Sequence, residues 1–141
     1  MNRPGIIMRS FGCERIEEVK EIYREAGWHA YLMDGNKLAR AFGNSLYLFG
    51  AFEGDHLVGF IRCVGDSEHI LLIQDVIVRL SHRRQKIGSA LVKHVLEKYS
   101  HVRMISLYPD AEDEADNRFY QSLGFRPISA GGMVSYMRQE G

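Results

Sequence analysis

The chain is poor in residues that would staple or stiffen it, with two cysteines, three prolines and one tryptophan in 141 residues. Cys13 and Cys63 are too few and too isolated for a disulfide framework or a zinc site. They suit a reducing compartment, where each is expected to be a small buried hydrophobe. An excess of either charge is also lacking. Eighteen Lys+Arg against eighteen Asp+Glu give a formal net charge of zero, without the basic surplus of a general nucleic-acid binder. No apolar run approaches the roughly 18 residues of a membrane helix. The start, MNRPGIIMRS, falls short of a signal peptide's apolar region. The reading is a cytoplasmic chain with neither nucleic acid nor membrane as partner. No repeat, low-complexity tract or Pro/Ser-rich linker marks a boundary, so 1–141 reads as a single domain. The histidines show no metal-ligand spacing, and no metal is expected.

What is present is a globular composition, 45% hydrophobic and 26% charged, long enough to bury roughly two thirds of the unfolded surface. Ile6 to Ser10 reads as a strand. Glu14 to Gly27 reads as a helix, with Ile16, Val19, Ile22 and Tyr23 on one face and Gly27 as its stop. A short helix is expected over Lys37 to Phe42. The period then changes to two, and Ser45 to Glu53, a turn at Gly54-Asp55, and Leu57 to Val64 read as a hairpin. Ile70 to Val78 continues as a third strand of that meander. Gly88 to Tyr99 is an amphipathic helix, Met104 to Tyr108 a short buried strand, and Asp110 to Phe125 a helix with an acidic first turn. A last strand is expected over Met133 to Arg138. This order predicts an α+β structure with helices packed on a mixed sheet.

One stretch raises a charge problem. HRRQKIGSALV (82–92) sets Arg83, Arg84 and Lys86 just ahead of a helix start, where the backbone already carries about half a positive charge and exposed N–H groups. Gly88, Ser89 and Ala90 are small enough for a ligand to approach the main chain. The amides of Gln85, Lys86, Ile87, Gly88 and Ser89 can converge on phosphate oxygens, with Arg83 and Arg84 adding charge-assisted bonds. The plainer alternative, cations solvating a surface loop, stays open on this stretch alone. Walker and dinucleotide glycine patterns are missing, and one cluster in a neutral chain offers few phosphate contacts for nucleic acid. The fitting ligand is a small phosphorylated cofactor.

IQDVIVRLSHRRQKIGSALV (73–92), followed by FYQSLGF (119–125), resembles the GCN5-related N-acetyltransferase (GNAT) family, and the order of elements matches that fold across essentially the whole chain. The resemblance implies a mixed, mostly antiparallel sheet flanked by about four helices, and acetyl-CoA as acyl donor. It implies that the pyrophosphate sits on amides of an Arg/Gln-x-x-Gly-x-Gly/Ala segment. With Arg83 first and Gly88 last, Lys86 stands at the central glycine and is expected to have an ordinary φ. A register from Gln85 puts Gly88 at the centre and Ala90 last. Both registers stay open, as does a phosphate contact from the Lys86 ammonium.

Acyl transfer to an amine needs a deprotonated nitrogen, a polarised carbonyl and a stabilised thiolate. The resemblance places Tyr120 near the thioester sulfur as general acid, a phenol that is protonated at neutral pH. The alternative is a core aromatic beside Phe119. The resemblance further implies that main-chain groups near Ile77 and Val78, on a bulged strand that splays from its neighbour, face the thioester and pantetheine arm. Asn117, one turn before Tyr120, is placed to reach that arm, although Asp113 and Asp116 depart from the family's usual asparagine and small residue.

From the residues alone, Asp75 interrupts an apolar strand and is the candidate base, taking the amine's proton directly or through water. An outward-facing or capping role is its alternative. His82 reads as a solvated loop residue. In AGWHAYLMD (26–34), Trp28 and Tyr31 either wall the acceptor pocket or pack the core. The expected activity is acetylation of a primary amine on a small molecule or peptide. A non-catalytic acetyl-CoA sensor is the competing reading, and a homodimer stays open.

Overall fold

The computed structural model describes residues 5–139, and it divides into two compact units after Leu107. The first carries β1 (Ile6–Ser10), α1 (Ile16–Ala26), α2 (Gly35–Gly43), β2 (Tyr47–Glu53), β3 (His56–Gly65), β4 (Ile70–Val78), α3 (Ile87–Lys98) and β5 (Met104–Leu107). The second carries α4 (Glu114–Ser122) and a 3₁₀ turn at Ile128–Gly131. The sheet order is β1-β2-β3-β4-β5. Pairing is antiparallel from β1 to β4 and parallel between β4 and β5. This is the mixed, mostly antiparallel sheet with four α-helices that the element order predicts.

Local chemistry sets the ends of the helices. Gly27 closes α1 at φ 79, the left-handed conformation that glycine adopts without a Cβ penalty. α2 begins two residues earlier than its periodicity suggests because the Asp34 carboxylate accepts from the amides of Asn36 and Lys37 at 3.1 Å, satisfying two free donors of the first turn. Val19, Ile22 and Tyr23 of α1 and Leu38 and Phe42 of α2 bury against Phe52, Leu57, Phe60 and Ile77 of the sheet. Tyr23, Phe42 and Phe60 meet edge to face at 5.7 to 6.3 Å, the arrangement that ring quadrupoles favour. Val76 and Val78, which alternate with Ile77 along β4, approach Gly88 of α3. Helices therefore cover both faces of this strand.

Two expectations fail. Cys13 is exposed, at a 3₁₀ turn (Cys13–Arg15) that lies outside the packed face of α1, while Cys63 is buried. Residues 133–138 form no strand. Their apolar side chains, including Val134 at 66% and Tyr136 at 92% exposure, fall in adjacent pairs, Met133-Val134 and Tyr136-Met137, without the two-residue alternation of a half-buried strand. Among the described residues no helix is long and apolar enough to cross a membrane.

Candidate functional site

β4 runs directly into the basic loop, and several bonds fix where it leaves the sheet. Arg79 is buried; its amide donates to Val58 O at 2.8 Å, its Nε to Leu57 O at 2.7 Å, and its terminal nitrogen to Glu21 at 3.0 Å. The Leu80 amide donates to Glu25. His82 is not a solvated loop residue. It is 8% exposed, with its ring nitrogens 2.7 Å from Ser81 Oγ and 3.2 Å from Glu53 Oε1, because the 3₁₀ turn at Leu80–His82 folds it back onto β2.

After this anchored turn the main chain is unusual. Arg84 and Lys86 both have left-handed φ values, 64 and 62. The expectation of an ordinary φ at Lys86 is overturned: the lysine holds the conformation that a glycine would adopt freely. Lys86 (φ 62, ψ 20) passes directly into helical Ile87, a left-handed-then-right-handed sequence that turns successive amides toward one side. α3 starts without a side-chain cap. Gly88 has no positive φ, and a Cβ there would lie 3.9 Å from Val76 and Val78, an ordinary contact. Neither the backbone nor the packing demands glycine at 88, where a Cβ would point at the β4 valines. Arg83 and Arg84 are exposed, and Arg83 Nε donates to Val78 O at 3.2 Å. Gln85 and Ser89 are half-buried, and Ile87 is buried under α3.

β4 also carries a bulge. Arg62 pairs with Asp75 and Cys63 with Ile73, leaving Gln74 unpaired. Parallel pairing with β5 runs from Ile70↔Met104 to Ile73↔Leu107 and stops there. Among the described residues, no strand pairs with β4 on its β5 side from Gln74 onward, including Ile77 and Val78. A strand edge free of a neighbour presents main-chain N–H and C=O groups to a ligand.

Asp75 is neither outward-facing nor open to solvent. It is 2% exposed, and Oδ2 accepts from Tyr23 OH at 2.7 Å and Arg62 Nε at 2.8 Å. Oδ1 accepts from Tyr31 OH at 3.0 Å. Tyr31 in turn accepts from Gln74 Nε2 at 3.1 Å. Burial, and then the Asp75 charge, push the pKa values of both Tyr23 and Tyr31 above the ordinary phenol value, so both hydroxyls keep their protons. Arg62, Tyr23 and Gln74 were not singled out in the sequence. The signal available was Arg62, a charge that interrupts an apolar strand just as Asp75 does. Tyr31 is half-buried against Tyr23, and Trp28, stacked on the same ring, stays 38% exposed.

In the second unit Tyr120 is 8% exposed, tilted against Phe119 and edge-on to Phe125. Burial, with the charges of Asp116 and Asp113, raises its pKa, which keeps the phenol protonated. Asn117 Nδ2 donates to the carbonyls of Asp110 and Asp113 at 2.8 and 2.7 Å, and Asp113 caps α4 through the Asp116 amide at 3.0 Å. Among the described residues no group of three His, Cys, Asp or Glu is placed to hold a metal ion.

Comparison with known proteins bears on this arrangement. No curated protein matches the chain. Among solved structures, a GNAT-family acetyltransferase of Streptococcus pneumoniae TIGR4 is 31% identical, with 96% of this chain and 98% of that one covered at a TM-score of 0.82. PaiA N-acetyltransferase of Thermoplasma acidophilum, solved in complex with coenzyme A, is 20% identical over 86% of this chain and 89% of its own, TM-score 0.69. An aminoglycoside acetyltransferase from an uncultured soil metagenomic sample, solved with sisomicin, is 17% identical over 97% of each chain, TM-score 0.69. The family model described as acetyltransferase (GNAT) family matches residues 8–125. With its mixed sheet, its bulged β4 and its basic loop at the start of α3, the chain belongs to the GNAT family of acetyltransferases.

Proposed function

We propose that the chain is an N-acetyltransferase that moves the acetyl group of acetyl-CoA to a primary amine of a small molecule or peptide. The observation that carries this reading is the Arg83 to Ser89 loop. Its left-handed Lys86 and its helix start without a side-chain cap form a cradle of amides suited to a diphosphate. The coenzyme A complex of the PaiA enzyme supports the choice of ligand. Arg83, Arg84 and the Lys86 ammonium surround the cradle with positive charge, and Gln85, Ile87 and Ser89 supply further main chain. The edge of β4 at Ile77 and Val78, where the Val78 carbonyl accepts from Arg83, is proposed to hold the pantetheine arm and thioester, and Asn117 to meet that arm through the carbonyl oxygen of its side chain.

In the reaction, the amine nitrogen bonds to the thioester carbonyl carbon and the carbon–sulfur bond breaks. Tyr120 is the proposed general acid to the coenzyme A thiolate; its raised pKa keeps the proton available at neutral pH. Asp75 is the proposed base. Because its oxygens are covered, it acts through Tyr31: the amine's proton passes to the Tyr31 oxygen as the Tyr31 proton moves to Asp75 Oδ1. A cofactor sensor is the second reading, favoured by the burial of Asp75 against Arg62, which leaves no bare carboxylate at this position.

Calorimetry with acetyl-CoA, together with thiol release in the presence of amines, tests the proposal. The native chain is expected to bind, and Gly88→Glu to lose binding through bulk and charge. Undiminished binding by Gly88→Glu would show that the loop is not the phosphate site. Binding without thiol release for any amine would favour the sensor.

A further inference from the structure

We infer that the acceptor is a monoamine with a flat aromatic body, and not a polyamine or an aminosugar carrying several ammonium groups. This rests on the acetyltransferase reading and names the substrate class for the Trp28–Tyr31 side of the same site. Two observations carry it, one of shape and one of charge.

The shape is a layered aromatic wall. Tyr31 stacks on the fully buried Tyr23 with ring centroids 4.4 Å apart and 15° between planes. Trp28 stacks on the same tyrosine at 5.9 Å and 27°, and lies 6.3 Å from Tyr31 at 41°. Tyr23 is fixed from behind by Phe42 and Phe60 and by its bond to Asp75, so the wall is rigid before any substrate arrives. Trp28 nevertheless keeps 38% of its surface exposed, and Tyr31 is only half-buried. A rigid ring stack with open surface favours a second flat ring, which offset stacking accommodates without reordering the protein.

The charge is zero. The Asp75 carboxylate behind the wall is matched by the buried Arg62 at 2.8 Å, and both tyrosines remain neutral because burial and the Asp75 charge raise their pKa values. A polyamine or aminosugar would bring several charges against this wall, where they would give up hydration while the carboxylate behind it is already paired with Arg62. A monoamine brings one charge, and a desolvated apolar surrounding lowers its pKa toward the deprotonated form that the reaction needs. Gln74 is exposed beside the Tyr31 hydroxyl, with its amide nitrogen bonded there at 3.1 Å. Its carbonyl oxygen and the Tyr31 oxygen are polar groups at the edge of the wall, suited to hold one amine.

The test measures thiol release by the full chain at saturating acetyl-CoA with phenethylamine, tryptamine, propylamine, spermidine and kanamycin, beside calorimetry of acetyl-CoA alone. The expected order in kcat/KM places both arylalkylamines above propylamine, spermidine and kanamycin. Trp28→Ala is expected to raise KM for phenethylamine about tenfold more than for propylamine, and Trp28→Phe to restore most of the difference. Faster turnover of spermidine or kanamycin than of phenethylamine overturns the inference, as does an equal effect of Trp28→Ala on both monoamines, or turnover of none of the five by a chain that binds acetyl-CoA. In each of these cases the calorimetric signal stands and the cofactor reading survives. Absence of that signal overturns the acetyltransferase reading itself, and this inference with it.

Discussion

Replacing Lys86 by alanine and by glycine separates two things that this residue does at once. Its backbone sits at φ 62, ψ 20, where an L side chain costs about 1–2 kcal/mol. Its ammonium stands beside the proposed diphosphate. Alanine removes the ammonium and keeps the strain; glycine removes both, but gives back about 0.5–1 kcal/mol through the freedom of the unfolded chain. Lys86→Gly is therefore expected to be more stable than Lys86→Ala by about 0.5–1 kcal/mol. For a chain of this length that is about 1–4 °C in Tm by thermal unfolding at neutral pH. Both variants lose one exposed cation, an interaction of at most about 1 kcal/mol, so acetyl-CoA should bind each up to about fivefold more weakly. An alanine variant at least as stable as the glycine variant would refute the left-handed assignment. Native affinity in both would show that the ammonium points away from the phosphates.

Other consequences follow from the same geometry. Arg62→Met leaves Asp75 buried without its cation and should cost about 3–5 kcal/mol in urea unfolding, with part recovered when Asp75→Asn is added; a purely additive double variant would mean that the two groups do not interact. Tyr120→Phe should slow acetyl transfer by about 10²-fold or more while leaving acetyl-CoA affinity unchanged, and native turnover would remove the proton-donor role. Asp66 accepts from the amides of Glu68, His69 and Ile70, which lowers its pKa from 3.8 to about 2. A depressed carboxylate stabilises the fold fully above its unfolded value and loses that contribution as pH falls through the folded one. Stability should therefore decline from pH 3.8 toward 2 more steeply in the native chain than in Asp66→Asn, and parallel curves would contradict the capping role.

The elements that the sequence reveals are those whose periodicity is set by burial. α1, α3 and the β2–β3 hairpin stand where the apolar spacing and the Gly54-Asp55 turn put them. The basic loop is legible for a different reason, since three cations beside a helix start conflict with local electrostatics. The misses are places where a residue's setting comes from a distant partner. His82 looks solvated until Glu53 is brought beside it. Lys86 illustrates the limit most directly: a lysine gives no warning of a left-handed φ, because that conformation is imposed by the anchored turn before it and the helix after it.

The bulge at Gln74 is the feature on which most of the proposed site depends, and only the family resemblance, not the residues of β4 themselves, announces it. Counted from the connection between β3 and β4, where Gly65 faces Leu71, an uninterrupted ladder would oppose Arg62 to Gln74. The extra residue moves Asp75 into that place. A period-two reading puts Ile73 and Asp75 on one face; with Gln74 bulged, Asp75 pairs with Arg62 while Ile73 pairs with Cys63, and the two point to opposite faces. Asp75 thereby joins Tyr23 and Tyr31 on the α1 side. Pairing with β5 ends at Ile73, beside the bulge, where added twist carries a strand away from its neighbour. One inserted residue thus sets the acid among the tyrosines, coincides with the opening of the main-chain edge beyond it, and places both just ahead of the loop that leads into α3. The proposed acceptor wall, thioester edge and phosphate cradle can all be drawn from the single segment from Gln74 to Gly88 and the side chains packed on it, and for that reason a two-residue alternation read straight through β4 misses their connection.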